Sequence, residues 1–558
     1  MDGKQFIPKF FTLIREGISR DQLQRDIIAG VIVGIVALPL AIAFAIASGV
    51  SPEKGIITAI VAGFIISLLG GSRVQIGGPT GAFIAIVYSV ILEYGVEGLI
   101  ISTMLAGILL VIMGLFQLGN LFRFVPYTLV VGFTSGIAVI IFTSQLKDIF
   151  GLNIDNIPSD FFSKLVVYRQ NWGEINVTAT IIAVATIVIS FQFHRVSRKI
   201  PGSVIAIILS TMTVLVFDLP VPTIGSVFGS IPNSISIPEF PQVDLGTIRM
   251  LIQPAFAIAL LGGIESLLSA TVSDGMTGGR HRPNIELIAQ GIANCFSSLF
   301  GGLPATGAIA RTATNVRSGG RTPIAGITHS VVLLAIMLIL APYVRHIPMA
   351  SLAGILVVVS YHMSEWRQFK SLLRANRMDV LIMLSTFFLT IIFDLVIAIE
   401  IGMVLSSFAL MKRLSESTTI RSTNELSTAE GDDGERLFEQ ELPTLANGIE
   451  LYEINGALFF GAAHIFQDTL RSIGSKPRVI ILRMRNVPFI DATGIYRLME
   501  VIRQFNDNRV RILLSGVHKN VIVDLEAHDI YSLIGKDDIN GDIGSTLKRA
   551  NEYLSKDS

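Results

Sequence analysis

Residues 1–415 are built from long apolar runs separated by short charged breaks. Stretches free of Asp, Glu, Lys and Arg cover 27–52, 55–72, 74–92, 98–122, 124–146, 175–193, 200–217, 287–310, 322–344 and 346–364. A helix crosses the hydrocarbon of a bilayer in about 20 residues, so most of these runs read as single spans. Four more candidates are short or interrupted: 250–273 around Glu265, 306–316 around Arg311, 378–395 and 397–411. Dividing 287–310 where Gly301-Gly302-Leu303-Pro304 interrupts it gives an expectation of about fourteen transmembrane segments over 27–414. Residues 1–26 are polar and unlike a cleavable signal peptide, so they read as a cytoplasmic N-terminal segment.

The pattern changes after residue 415. Residues 415–447 are rich in Ser, Thr and acids, including Glu430-Gly431-Asp432-Asp433-Gly434-Glu435, and read as a linker. Over 448–554 strand-like and helix-like periods alternate. Ile449–Ile454, Arg478–Met484 and Val510–Ser515 read as strands; Ala462–Ile473, Gly494–Phe505, Val521–His528 and Ser545–Leu554 read as helices. That alternation predicts a small α/β domain.

Charge sharpens this division. Lys plus Arg and Asp plus Glu are equal at 43 each, and only 15% of residues are charged. Residues 1–415 nevertheless hold 27 basic and 21 acidic groups, and residues 416–558 hold 16 and 22. A body balanced at +6 thus precedes a tail at −6. If the N-terminus is cytoplasmic, the cytoplasmic connections carry 20 basic residues and the outer ones six: Lys54, Lys147, Lys164, Arg169, Arg249 and Arg345. Basic residues concentrate on the cytoplasmic side, which predicts a multi-pass inner (plasma) membrane protein with both termini inside. Mean hydropathy is +0.63. Zero net charge does not fit a nucleic-acid binder, and the single cysteine, Cys295, cannot form an internal disulfide. No Walker, zinc-protease or nucleophile-elbow motif is present, so no enzyme activity, cofactor or metal is read from the sequence.

Two glycine-rich interruptions resemble one another: Gly77-Gly78-Pro79-Thr80-Gly81-Ala82-Phe83 and Gly301-Gly302-Leu303-Pro304-Ala305-Thr306-Gly307-Ala308-Ile309. The predicted topology runs them into the membrane from opposite sides. Interrupted segments at matching places in two halves point to an inverted-repeat transporter. A break at the proline would start a half-helix whose first amides lack carbonyl partners and whose end carries about +0.5 charge. Two such ends facing each other form an anion site. Ordinary small-residue packing is the plainer alternative, and repetition in opposite orientation argues against it.

Two charges fall where hydrocarbon excludes them. Arg311 follows the second interruption and costs at least about 2.5 kcal/mol in a span unless paired or hydrated. It either adds positive charge to the anion site or reaches an interface. Glu265, within Leu260–Ser269, is a carboxylate in low dielectric and so a candidate proton carrier. Ser269 follows one turn later and can share its face. His329 and His362 also lie in apolar runs, where a lone histidine more often packs than relays protons.

Leu38–Ala45, Gly77–Ala82, Gly262–Ser269 with Asp274–Gly278, and Gly301–Arg317 together resemble the sulfate permease family of anion transporters, and the tail resembles its STAS domain. The resemblance implies two seven-helix inverted repeats arranged as core and gate domains, elevator-type alternating access and a homodimer. It places Phe44, Thr80, Gly81, Ala308, Ala310 and Arg311 around the substrate, with Glu265 and Ser269 beside them for proton coupling. The expected substrate is sulfate or a C4-dicarboxylate taken up with protons. Sodium-coupled bicarbonate symport or anion exchange is the alternative, since related sodium-coupled members have Asp and Thr where Glu265 and Ser269 stand. A passive channel and a membrane-tethered signalling protein are rival classes. In the tail, Pro488–Gly494 resembles the loop of anti-sigma-factor antagonists, where a phosphorylated serine would occupy the position of Ala492. Thr493 reads as a helix cap, and the tail as a structural or dimerisation domain.

Overall fold

The computed structural model describes residues 6–154, 157–158, 160–195, 201–229, 238, 244–393, 395–422, 445–461 and 477–556. The predicted helix Ala462–Ile473 and most of the predicted linker lie outside them. The chain folds as two units, residues 1–404 and 405–558.

In the first unit, the amphipathic helix α1 (Lys9–Glu16) precedes the long apolar helices α2 (Arg20–Ala47) and α3 (Pro52–Leu69). A two-residue strand β1 (Gly77–Gly78) leads into α4 (Ile84–Leu115). Gly95 interrupts α4 with φ 70° and ψ −175°, a conformation that only glycine adopts at little cost. It separates the runs 74–92 and 98–122, as the charge pattern predicts. Next come α5 (Tyr127–Phe150), the short α6 (Phe161–Gln170), α7 (Val177–Gln192), α8 (Gly202–Phe217), α9 (Ile224–Phe228) and α10 (Leu245–Thr277). Helix α11 (Pro283–Leu299), strand β2 (Thr306–Gly307) and α12 (Ile309–Arg317) form the second interruption. The unit closes with α13 (Pro323–Val344), α14 (Met349–Met363), α15 (Trp366–Leu372), α16 (Arg377–Ile392) and the start of α17 (Leu395–Ser417). Among the described residues, six helices are long and apolar enough to cross a membrane, and α7 and α8 are shorter apolar helices.

These helices pack in two groups. One brings α13 onto α2 and α3, α11 onto α3 and α4, and α10 onto α4 and α12. The other brings α14 and α16 onto α5, and α7 onto α14 and α8. Small residues permit the closest approaches in the first group. A Cβ on Gly107 of α4 would lie 2.6 Å from the Gly291 carbonyl oxygen of α11. Asp26, fully buried near the start of α2, fixes the start of α13: it accepts from the Arg321 amide at 2.7 Å and from the Thr322 amide and hydroxyl at 3.2 and 2.7 Å.

In the second unit, β3 (Thr419–Ser422), β4 (Ile449–Asn455), β5 (Val479–Asn486), β6 (Arg511–Ser515) and β7 (Ile539–Asn540) form one sheet in chain order. β3 pairs antiparallel to β4, and the remaining pairs are parallel. Strand β3 lies within the segment read from sequence as linker. Helices α18 (Ala492–Asp507) and α19 (Lys519–Ala527) accompany the sheet, and α20 (Ile543–Lys556) ends it. Alternate residues of β5 face two apolar clusters: Ile480 and Leu482 pack toward Leu498 and Ile502, while Val479 and Ile481 pack toward Ala550. The sheet is therefore covered on both faces, as parallel strands require.

Candidate functional site

The two glycine-rich interruptions meet. β1 and β2 pair antiparallel, with Gly77 opposite Gly307 and Gly78 opposite Thr306. Neither helix begins at its proline, contrary to the sequence expectation. Pro79 follows its strand, a 3-10 turn over Gly81–Phe83 comes next, and α4 starts at Ile84; Pro304 precedes its strand, and α12 starts at Ile309. Counted from the Thr-Gly-Ala matches, α4 begins four residues after Thr80 and α12 three after Thr306, so the helix starts nearly correspond while the strands do not. Thr80 lies beyond its strand and Thr306 within its own. The extended backbone around β2 is satisfied by protein, which is the condition for irregular chain at membrane depth. Asn294 accepts from the Ala305 amide and donates to its carbonyl, each at 2.8 Å. The Leu303 amide donates to Thr58 Oγ1 at 2.6 Å, and Ser297 Oγ donates to the Leu303 carbonyl at 2.7 Å.

Helix α12 makes its first main-chain bond from Thr312 to Ala308 at 2.9 Å. The amides of Ile309, Ala310 and Arg311 therefore have no partner within the helix. The Ala308 amide is already committed, donating to the Ile76 carbonyl at 2.9 Å. Ala308 itself is buried, whereas the side chains of Ile309 and Ala310 are exposed.

Arg311 is 2% exposed. Its Nη2 donates to the Pro79 carbonyl, which ties the second interruption to the first. Its Nη1 has no hydrogen-bond partner and lies against Gly78, where an added Cβ would be 2.4 Å away. Among the described residues no ion pair joins Arg311 to Glu265 or to any other carboxylate. Reaching the interface is not the arrangement found, because the guanidinium is buried at the strand junction.

Glu265, on α10, is partly exposed and accepts from Thr80 Oγ1 at 2.8 Å. Thr80 thus links the first interruption to the carboxylate. Ser269 does not turn toward Glu265: its hydroxyl donates to Thr312 Oγ1 at 3.3 Å, and that oxygen also accepts from the Ile76 amide at 3.1 Å. Ser269 braces α10 against α12. Phe44 and Gly81 are neighbours, with the Phe44 ring 3.3 Å from a Cβ built on Gly81. Met363 of α14 and Ile141 of α5 approach the same position to 3.0 and 3.2 Å. These two side chains come from the second helix group, and nothing in their apolar sequence surroundings singles them out.

The largest omission from the sequence reading is Glu286. It is fully buried beneath the junction. One oxygen accepts from the Gly71 and Ser72 amides at 2.7 and 3.0 Å. The other accepts from Gln290 Nε2 at 2.9 Å and Ser266 Oγ at 3.3 Å, while Ser266 Oγ accepts from Gln75 Nε2 at 2.8 Å. Its signal is the spacing Glu286, Gln290, Asn294, a polar stripe at i, i+4, i+8 on an otherwise apolar helix. The two histidines differ. His329 is fully buried with both ring nitrogens unpartnered, and His362 packs on the rings of Phe191 and Tyr361.

In the tail, the cap of α18 is Asp491, which replaces Thr493 in that role. Its carboxylate accepts from the Gly494 amide at 2.7 Å and the Phe460 amide at 3.0 Å. Ala492, the first residue of the helix, carries no hydroxyl to phosphorylate.

Residues 23–386 match the model of the Sulfate permease family, and residues 444–550 match the STAS domain. YvdB of Bacillus subtilis, which carries a provisional sulfate-transporter name, is 41% identical over 93% of this chain and 96% of its own. The solved transmembrane domain of the cyanobacterial bicarbonate transporter BicA is 31% identical, with a TM-score of 0.62 over 68% of this chain and 98% of that one. The murine Solute Carrier 26 family member A9 anion transporter, at 18% identity, shares the fold with a TM-score of 0.86 over 98% of this chain and 94% of its own. The chain belongs to the sulfate permease family and carries a STAS domain at its C-terminal end.

Proposed function

We propose that the chain takes up a small oxyanion by proton-coupled symport, with the anion held between the 3-10 turn at Gly81 and the start of α12. Its relatives are anion transporters whose names specify sulfate or bicarbonate. The substrate class that fits is sulfate, hydrogen carbonate or a C4-dicarboxylate. The observation carrying the reading is the buried Arg311 guanidinium, bonded to Pro79 across the junction, with an Nη1 that has no hydrogen-bond partner. Unpaired amides at the start of α12 add partial positive charge on the same side. An anion there meets donors already oriented by the strand pair, so little ordering cost remains to be met on binding.

Thr80 supplies a route for coupling. Its one hydroxyl proton is donated to Glu265. When Glu265 takes up a proton it loses its charge, and the charge-assisted bond from Thr80 weakens. The hydroxyl is then free to turn toward the anion, so protonation and anion binding favour each other. By thermodynamic reciprocity each ion raises the affinity for the other, and their joint passage is the symport proposed. The exposed Ala310, the Phe44–Gly81 contact, and Met363 and Ile141 from the second helix group complete the surroundings. Movement of one helix group against the other provides alternating access. The transporter domain spans 27–414 with both termini in the cytoplasm, and the tail acts structurally, as a homodimerisation domain.

The test is radiolabelled anion uptake into proteoliposomes with proton and sodium gradients imposed separately. Inward proton gradients accelerate uptake by the wild type, sodium gradients do not, and Glu265→Gln abolishes the response to pH. Sodium-driven uptake, or unchanged pH dependence in Glu265→Gln, removes Glu265 as the proton carrier.

A further inference from the structure

A cavity of about 750 Å³ reaches from Ile84, the first residue of α4, to α6. It is bordered by the C-terminal ends of α2 and α5, the first half of α4, and α6. On the proposed topology this is the outer side. Two of its side chains are buried polar groups, and the charge attracting Lys164 is the Asp160 carboxylate one turn back. Lys164 is 7% exposed, and among the described residues no carboxylate lies within ion-pair distance of it. Its ammonium rests 5.0 Å from the centroid of the Tyr88 ring. Tyr168 is 3% exposed, and its hydroxyl has no hydrogen-bond partner.

The two residues stand one turn apart on α6 and share a face. Burying an ammonium is costly unless an opposite charge or hydrogen-bond acceptors replace its water, and a ring face compensates only in part. A buried hydroxyl without a partner adds a desolvation penalty of its own. The neighbouring polar groups are otherwise engaged. Lys147 Nζ donates to the Ile154 carbonyl at 2.6 Å, and the Tyr88 hydroxyl donates to the Ile157 carbonyl at 3.0 Å. Asp160 caps α6 through the Ser163 amide at 2.7 Å. Glu93 and Asp148 also border the cavity; they disfavour a highly charged occupant and keep any anion site there weak.

We infer that this cavity is a second anion site, in which the Lys164 ammonium and the Tyr168 hydroxyl together donate to a small oxyanion. It goes beyond the function proposed above, and its two donors stand on α6, not on the strands β1 and β2. An ammonium and a hydroxyl on one face satisfy two oxygens of sulfate, hydrogen carbonate or a carboxylate. The opposing carboxylates make the site one of capture and release.

Equilibrium binding of radiolabelled sulfate, hydrogen carbonate and succinate to the full chain in nanodiscs tests it. The wild type binds two equivalents of at least one of these anions. The Lys164→Met, Tyr168→Phe double variant binds one. Tyr168→Phe alone, which keeps the ring and its packing, weakens one of the two sites about tenfold, equivalent to about 1.4 kcal/mol. One equivalent of every anion in the wild type, or two in the double variant, overturns the inference. Arg311→Gln separates this result from the central reading, because it removes the other site. Two wild-type sites that both survive Arg311→Gln contradict the junction site and leave the cavity site standing.

Discussion

Arg311 organises the junction through the space left beside it. Its Nη1 occupies the place where a Cβ on residue 78 would project, and Gly78 has φ of 148°, a region that L side chains rarely adopt. Alanine at 78 must therefore shift either the strand or the guanidinium, and backbone strain of this kind costs about 1–3 kcal/mol. Gly78→Ala is expected to lower initial uptake at least about tenfold, equivalent to about 1.4 kcal/mol in the barrier, with normal amounts of monodisperse protein. Wild-type rates in that variant would show that Arg311 need not lie at the strand pair. Arg311 and Glu265 are legible in sequence because a charge inside an apolar run stands out. Glu286 is hidden because it borders such a run and reads as an interfacial helix end. Only the fold shows that four donors surround it.

Among elements, the pairing of β1 with β2 holds the two interruptions together, and helix packing holds the pairing. Helices α4 and α11 touch backbone to backbone at Gly107 and Gly291, where an added Cβ on either residue would meet the other's carbonyl oxygen within 2.6 Å. Gly107→Leu overfills that contact and should cost about 1–3 kcal/mol, read as a lower thermal unfolding midpoint in detergent. An unchanged midpoint would mean that the helices separate there without penalty. The repeated Gly-Gly, Pro and Thr-Gly-Ala letters locate both interruptions and nearly match their helix starts, but not the strand bounds within them. Thr80 follows β1 by two residues whereas Thr306 opens β2, and strand pairing sets Gly78 opposite Thr306. Short motifs of small residues carry little register information, because register follows from hydrogen-bonded partners distant in the chain. The strands and helices of the tail are easier to read, since their apolar periods differ and turn residues divide them. Strand β3 escapes this reading because its residues are alternately exposed and half-buried polar and apolar groups at the edge of the sheet.

At the scale of the molecule, a zero net charge conceals a basic membrane unit and an acidic α/β unit. The basic excess predicts topology, and the few charges within the membrane unit predict where its chemistry lies. The central claim is that the anion occupies the space between the 3-10 turn at Gly81 and the start of α12. Ala310 is exposed there, so a cysteine at that position reports occupancy directly once the native Cys295 is replaced by serine. The decisive measurement is the labelling rate of Ala310→Cys by a membrane-impermeant thiol reagent in proteoliposomes, with and without sulfate, hydrogen carbonate or succinate. The transported anion is predicted to slow labelling in proportion to site occupancy, and Arg311→Gln to abolish that protection. Labelling that is indifferent to an anion the same vesicles transport would contradict the account.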